Sequence, residues 1–180
     1  MVQIGVLTTY DPVPPEVEAK ARALGSAIAK GGHVLITGGD GGLMRTVSEA
    51  AFKEGGTTVG IMAIEMEKID DAHPWHNPFN SVVIRSGQSF TSRSSMVVRS
   101  SDALILLAGG VGSLTEVAMA YNMKKPIVVL VGTGMMADRL GELFPDGFLD
   151  HRRMVRLHFE VDPQGAVDLA AELARQRGLR

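Results

Sequence analysis

The feature that most constrains the fold is a series of short, continuously apolar segments that alternate with helical patterns. Seven segments carry apolar residues at consecutive positions, as in DALILLA at 102–108 and PIVVLVG at 126–132. Such segments are typical of strands buried on both faces of a sheet. The other five predicted strands lie at 2–7, 33–38, 57–63, 81–86 and 155–161. In β-α-β order, they predict a parallel sheet with helices on each face.

The segments between the predicted strands carry helix signals. The first has Pro15 near its start and Gly31 just past its end, the usual positions of these residues. Helices are predicted at 15–30, 43–55, 90–100, 113–123 and 163–178, whereas 135–143 is ambiguous. Residues 64–80 read as a long connection. With right-handed crossovers, the fold class is α/β: a doubly wound, Rossmann-like, mainly parallel sheet of about seven strands.

Size and charge restrict the classes of protein to be considered. The 180 residues suffice for one domain with a substantial core, and no linker or repeat divides them, so we expect a single phosphate-binding or nucleotide-binding domain over 1–180. A net charge of −2 argues against a nucleic-acid partner. No signal peptide and no apolar run of about 18 residues is found, so no membrane association is expected. The absence of cysteine fits a cytoplasmic location.

Two glycine clusters follow predicted strands and precede predicted helices: TGGDGGLM at 37–44 and AGGVGS at 108–113. Glycine lets a ligand approach the backbone closely, and a helix N-terminus offers free N–H groups to an anion. The alternative is that these glycines only form tight turns and that Thr8 only ends its strand. We expect a phosphate-bearing ligand to contact Thr8, Gly39, Gly41, Gly42, Gly109, Gly110, Val111, Gly112 and Ser113.

Neither cluster matches a common nucleotide motif. The dinucleotide fingerprint requires G-x-G-x-x-G after the first strand, where this chain has TTYDP. No G-K-[ST] follows a glycine loop. The acid at Asp40 would repel a phosphate unless it points away or binds a cation.

Glu116 has two interpretations. Ser113 and Glu116 have the S-x-x-E spacing of a capping box, in which both side chains would only stabilise a helix start. The glycines before Ser113 favour instead a place for Glu116 in a ligand site.

The segment HPWHNP at 73–78 offers two histidines. Pro74 between His73 and His76 is incompatible with helical spacing, so no metal site is expected there. A mobile flap or a dimer contact is the preferred interpretation, with Trp75 able to cover a ligand ring.

The run SRSSMVVRSSDALILLAGGVGSLTEVAMAYNMKKPIVVL, with TGGDGGLM before it, resembles the LONELY GUY superfamily, whose members are often mislabelled lysine decarboxylases. The hallmark of that superfamily is P-G-G-x-G-[ST]-x-x-E, with an arginine nine residues before the Asp that opens the preceding strand. Arg93, Asp102 and Glu116 occupy the matching positions, and Ala108 stands in place of the Pro. The resemblance extends from the first strand to about residue 132.

Within that superfamily the chain looks closer to the molybdenum-cofactor carriers, because EVAMAYNMKKPIVVL has a short Lys-Lys-Pro turn. This resemblance implies a carrier of the molybdenum cofactor or an AMP-like phosphate, with no cofactor required. The other branch implies a nucleoside 5′-monophosphate phosphoribohydrolase, with Arg93 and Glu116 as catalytic residues. Whether the chain is an enzyme stays open, and lysine decarboxylation is not expected. Family members are commonly dimers, so a homodimer or higher homo-oligomer is expected.

Overall fold

The computed structural model, which describes residues 1–178, contains one sheet of seven strands in which every neighbouring pair is parallel. The strands are β1 (Gln3–Leu7), β2 (Val34–Thr37), β3 (Thr58–Met62), β4 (Val82–Arg85), β5 (Ala103–Leu107), β6 (Ile127–Leu130) and β7 (Leu157–Glu160). Their spatial order is β4-β3-β2-β1-β5-β6-β7. The predicted doubly wound parallel sheet is therefore confirmed.

Helices cover both faces of this sheet. They are α1 (Pro15–Lys30), α2 (Gly42–Lys53), α3 (Phe90–Ser100), α4 (Val111–Asn122), α5 (Met135–Leu143) and α6 (Pro163–Gly178). Helices α1, α2 and α6 pack on one face, and α3, α4 and α5 pack on the other. The connection predicted at 64–80 contains only a short 3-10 turn, Ile64–Met66. Within residues 1–178, no helix combines the length and apolarity needed to cross a bilayer.

Strand β5 explains why the sequence shows continuous apolar runs. All five of its side chains are buried. Ile105 and Leu107 belong to the core beneath α1, α2 and α6, whereas Leu104 and Leu106 belong to the core beneath α3, α4 and α5. Because each face of the sheet is covered, successive positions of this central strand are apolar.

Strand β4 departs from this pattern. Its apolar run predicts burial on both faces, yet Val82, Val83 and Ile84 are 46%, 42% and 38% exposed. The physical reason is its position, because β4 is the outermost strand and has a neighbour on one side only.

The strand order reverses between β1 and β5. The chain proceeds outward from β1 through β2, β3 and β4, and then returns to the other side of β1 at β5. At such a reversal, the connections that leave the two central strands diverge and open a crevice at the carboxyl edge. Thr8 follows β1 and Ala108 follows β5, so both lie at this crevice.

Candidate functional site

A cavity of about 430 Å³ occupies the crevice. Its walls come from the end of β1, the turn before α2, the first turns of α3, and the first turns of α4. The residues that line it are Val6, Thr8, Gly38, Asp40, Met44, Phe90, Thr91, Arg93, Ser94, Val111, Gly112, Ser113, Thr115 and Glu116.

The N-terminus of α4 presents free amides to this cavity. The helix follows Gly110, and the first amide with a helical partner is that of Leu114, whose N–H donates to the Gly110 carbonyl at 3.0 Å. Among the described residues, the amides of Val111, Gly112 and Ser113 have no acceptor. All three residues line the cavity. Free amides at a helix N-terminus are an arrangement that favours an anion.

The turn between β5 and α4 is held in an unusual conformation. Ala108 has φ +54° and Gly109 has φ +82°, both in the left-handed region. The Ala108 N–H donates to the Thr133 hydroxyl at 2.9 Å. The carbonyls of Ala108 and Gly109 accept from the amides of Ala137 and Met136, at 3.0 and 2.9 Å. The first turn of α5 therefore fixes the position of the turn that precedes α4.

Gly109 and Gly110 do not line the cavity. A Cβ at Gly109 would lie 2.7 Å from the Ser113 Cβ, so the close approach of the turn to α4 requires glycine. Gly110 is exposed and has open space around its Cα. Contact of either residue with a phosphate stays a prediction.

The capping-box interpretation of Ser113 and Glu116 is wrong. Helix α4 begins at Val111, two residues before the predicted start, which makes Ser113 its third residue rather than its cap. The Ser113 hydroxyl donates instead to the Thr8 carbonyl at 2.9 Å and ties α4 to the end of β1. No side chain caps the helix. Glu116 is free to face the cavity.

The first glycine cluster behaves differently from the second. The Gly41 amide donates to Asp40 Oδ1 at 2.7 Å, and the Leu43 amide donates to the Thr9 carbonyl at 3.1 Å. A Cβ at Gly41 would lie 2.2 Å from the Pro74 carbonyl oxygen. The chain itself therefore uses much of the hydrogen-bonding capacity at the start of α2.

The predicted ligand residues Gly39, Gly41 and Gly42 do not line the cavity. Gly39 packs against Gly60, and Gly42 packs against the backbone of Tyr10. The structure gives these glycines a packing role, and their contact with a phosphate stays a prediction.

Arg93 is buried beside the cavity, and its guanidinium forms no hydrogen bond or ion pair within the described chain. It is 6% exposed, and a Cβ at Gly38 would lie 2.0 Å from Nη1. Its Nε has no hydrogen-bond partner among residues 1–178, and no carboxylate of that part of the chain is within ion-pairing distance. Burial lowers the pKa of Arg93, while the charges of Glu116 and Asp40 oppose this shift. Arg93 is therefore not a solvated charge at the start of α3.

Glu116 lies on the cavity wall and is 8% exposed. Burial raises the pKa of its carboxyl, against the effect of the Ser94 hydroxyl and of the Arg93 charge. Thr8 lines the same cavity, and its buried Oγ1 has no partner within the described chain. Thr8, Arg93 and Glu116 thus supply a hydroxyl, a cation and an acid to one small volume.

Apolar side chains complete the cavity. Met44, Phe90 and Val111 line it, and Val111 is 74% exposed. Trp75 is not in the wall, but its ring packs edge-on against Phe90 at 5.3 Å between centroids. Sequence reasoning missed Met44 and Phe90, because single apolar residues beside polar runs carry no signal of a ligand contact.

No three His, Asp or Glu side chains within residues 1–178 cluster as a metal site would require. His73 instead accepts a hydrogen bond at Nδ1 from the Trp75 amide at 3.1 Å. His76 lies near Asp71, with 3.6 Å between Nδ1 and Oδ1.

Comparison with known proteins finds a matching sequence family, a similar protein sequence and similar solved structures. The sequence profile described as the SLOG cluster4 family matches residues 1–157. A cytokinin riboside 5′-monophosphate phosphoribohydrolase of Mycobacterium marinum is 32% identical over 167 residues, which cover 86% of this chain and 85% of that protein.

Two solved structures extend the comparison. The crystal structure of TM1055 superposes with a TM-score of 0.85 at 30% identity and covers 96% of this chain and 99% of its own. The molybdenum cofactor carrier protein of Chlamydomonas reinhardtii superposes with a TM-score of 0.75 at 27% identity and covers 97% and 98% of the two chains.

Proposed function

Because this chain belongs to the SLOG cluster4 family, we propose that its cavity binds a nucleotide-like phosphate and that the protein acts as a carrier similar to the molybdenum-cofactor carriers. The observation on which this proposal depends is the juxtaposition of three free amides at the start of α4 with the uncommitted guanidinium of Arg93. Helix N-terminal amides and arginine side chains are common phosphate-binding groups in proteins.

The rest of the cavity fits the remainder of such a ligand. Met44, Phe90 and Val111 offer an apolar surface to a planar ring, whether a purine or a pterin. A volume of about 430 Å³ lies within the range of pockets that hold a small organic molecule. The ligand would therefore place its phosphate on α4 and its ring against the apolar residues.

The second candidate function is hydrolysis of a nucleoside 5′-monophosphate at the N-glycosidic bond. The buried carboxyl of Glu116 beside Arg93 favours it, together with the similarity to the mycobacterial phosphoribohydrolase. Cleavage of this bond builds positive charge on the sugar, which an ionised Glu116 would stabilise. Arg93 would hold the phosphate or polarise the leaving base.

Two assays separate these functions. The protein is titrated calorimetrically with AMP and with the molybdenum cofactor, and it is incubated with AMP and an N6-substituted AMP while free base is measured. Tight binding without base release supports the carrier. Release of base supports the hydrolase, and an absence of binding by every phosphate compound would contradict both.

A glycine variant tests the location of the phosphate. Gly112 lies in the first turn of α4, and a Cβ there would meet open space, so Gly112→Ala preserves the fold. Side chains tilt toward the helix N-terminus, so the added methyl would occupy the phosphate position. We expect affinity to fall by about tenfold or more, which is about 1.4 kcal/mol. The control is Gly165→Ala in the first turn of α6, where the added Cβ makes only ordinary contacts.

A further inference from the structure

An acidic side chain lies inside the cavity proposed to bind a phosphate. Asp40 is 5% exposed and lines the cavity with Arg93 and Glu116. Burial raises the pKa of the Asp40 carboxyl, and in its ionised form this side chain would weaken the binding of a bare anion. Asp40 would not stabilise a bound phosphate. We therefore expect its side chain to interact with another part of the ligand.

The hydrogen bonds around Asp40 fix its orientation. Oδ1 accepts from the Gly41 amide at 2.7 Å, and the Asp40 carbonyl accepts from Asn77 Nδ2 at 3.2 Å. Oδ2 accepts no hydrogen bond within the described part of the chain, and it forms no ion pair there. A rigidly held residue on the cavity wall therefore retains one free acceptor.

The acid and the phosphate site belong to different walls. Asp40 is in the turn before α2, whereas the free amides of Val111, Gly112 and Ser113 belong to α4. A phosphate on α4 therefore leaves Asp40 to the uncharged part of the ligand. Carboxylate oxygens form strong hydrogen bonds with hydroxyl and amino donors.

We propose that Asp40 is a specificity-determining residue, which selects phosphorylated ligands whose uncharged part presents a hydroxyl or amino donor to Oδ2. The inference rests on the proposed function, because it requires a phosphate on α4. This narrows the class of ligand to phosphates whose organic part carries a sugar or an amino group, such as nucleotides and the phosphates of amino-substituted pterins.

The test compares three ligands with the same phosphate. These are AMP, 2′,3′-dideoxy-AMP, which lacks the sugar hydroxyls, and purine riboside 5′-monophosphate, which lacks the amino group. Dissociation constants are measured calorimetrically for the wild type, Asp40→Ala and Asp40→Asn. Because the phosphate is constant, its repulsion by Asp40 cancels in the ratio of two constants.

We expect the wild type to prefer AMP over one of the two analogues, and Asp40→Ala to reduce that preference by about tenfold, the usual effect of losing a hydrogen bond to a charged group. The analogue that is affected identifies the donor as hydroxyl or amino. Asp40→Asn keeps the acceptor for the Gly41 amide, so it folds normally and should lose part of the preference. Glu16→Gln, an exposed change of equal charge on α1, should leave both ratios unchanged.

Two other outcomes are distinguishable. If the wild type binds AMP on α4 but both ratios are the same in Asp40→Ala, the inference about Asp40 is overturned and the proposed function stands. If the wild type binds none of the three ligands, the proposed function fails and the inference fails with it.

Discussion

Burial in the cavity wall shifts the pKa of Asp40, Arg93 and Glu116 toward the uncharged form of each side chain, so keeping them charged costs free energy of folding. Arg93 and Glu116 could be selected from the sequence by their match to the superfamily hallmark, and the structure brings both to one cavity. What the sequence could not decide was the role of the S-x-x-E spacing, because that depends on where α4 begins. Glycine is a poor helix former, so the pattern placed the start after Gly112, whereas the helix includes it.

At Glu116, the raised pKa predicts a pH-dependent stability. The folded protein holds the Glu116 proton more tightly than the unfolded chain does. Stability should therefore fall as pH rises from the ordinary glutamate pKa toward the raised one, and stay lower above it. Glu116→Gln fixes an uncharged side chain, so we expect a higher melting temperature than wild type near neutral pH and no difference below about pH 4. Equal melting temperatures near neutral pH would contradict this assignment.

At Arg93, replacement by Gln should weaken phosphate binding. The substitution removes a charged donor that makes no hydrogen bond or ion pair among residues 1–178, although its guanidinium lies 5.9 Å from the centroid of the Phe90 ring. We expect the affinity for AMP to fall by about 10-fold to 100-fold, the range for hydrogen bonds to charged groups. Titration calorimetry measures it, with Arg45→Gln as the control, since Arg45 is exposed and outside the cavity wall. Equal losses in both variants would show only a general effect of net charge.

Among the elements, the helices were easier to predict than the turns. Three of them, 15–30, 90–100 and 163–178, have the predicted bounds, and the ambiguous segment 135–143 is helix α5. The conformation of the turn at Ala108 was not predictable, because alanine carries no signal of a positive φ. The bonds from Thr133 and α5 impose that conformation from a distant part of the chain.

The conformation of this turn explains why the chain has Ala108 where the superfamily hallmark has proline. It also leads to a prediction. Proline is locked near φ −65° and lacks an N–H, so it can neither adopt φ +54° nor donate to Thr133. We expect Ala108→Pro to lower the free energy of unfolding by about 3 kcal/mol. Ala108→Gly, which relieves the left-handed strain, should be neutral or stabilising by about 1 kcal/mol. Urea unfolding measures the free energy of unfolding of both variants. A proline variant as stable as the wild type would refute this account of the turn.

For the whole molecule, the parallel sheet was predictable but its strand order was not. Apolar runs report burial on both faces, whereas the choice of neighbour depends on the direction in which each crossover travels. The exposure of β4 is a product of that order, because an apolar run cannot show whether a strand lies in the centre of a sheet or at its edge.

The exposed edge makes a prediction about assembly. Unpaired, apolar edge strands favour association with another chain. We expect a homodimer that uses β4, with about twice the mass of one chain by size-exclusion chromatography and light scattering. Val83→Lys should yield monomers. The control is Val161→Lys, because Val161 is 65% exposed beyond β7 at the other edge of the sheet. A dimer that survives the change at Val83 would exclude β4 as the interface.

The pairing of β1 with β5 also governs the order in which the molecule can be assembled. The Gln3 amide donates to Asp102 Oδ2 across 99 residues of sequence, and Ile4 pairs with Ala103. A chain emerging from the ribosome can form the layer of β1 to β4 early, but the middle of the sheet must wait for β5. Contacts so distant in sequence slow folding, because a large loop must close before any contact compensates for the lost entropy. The cavity stands over this junction, so it is completed late, and a partly synthesised chain cannot hold a ligand there.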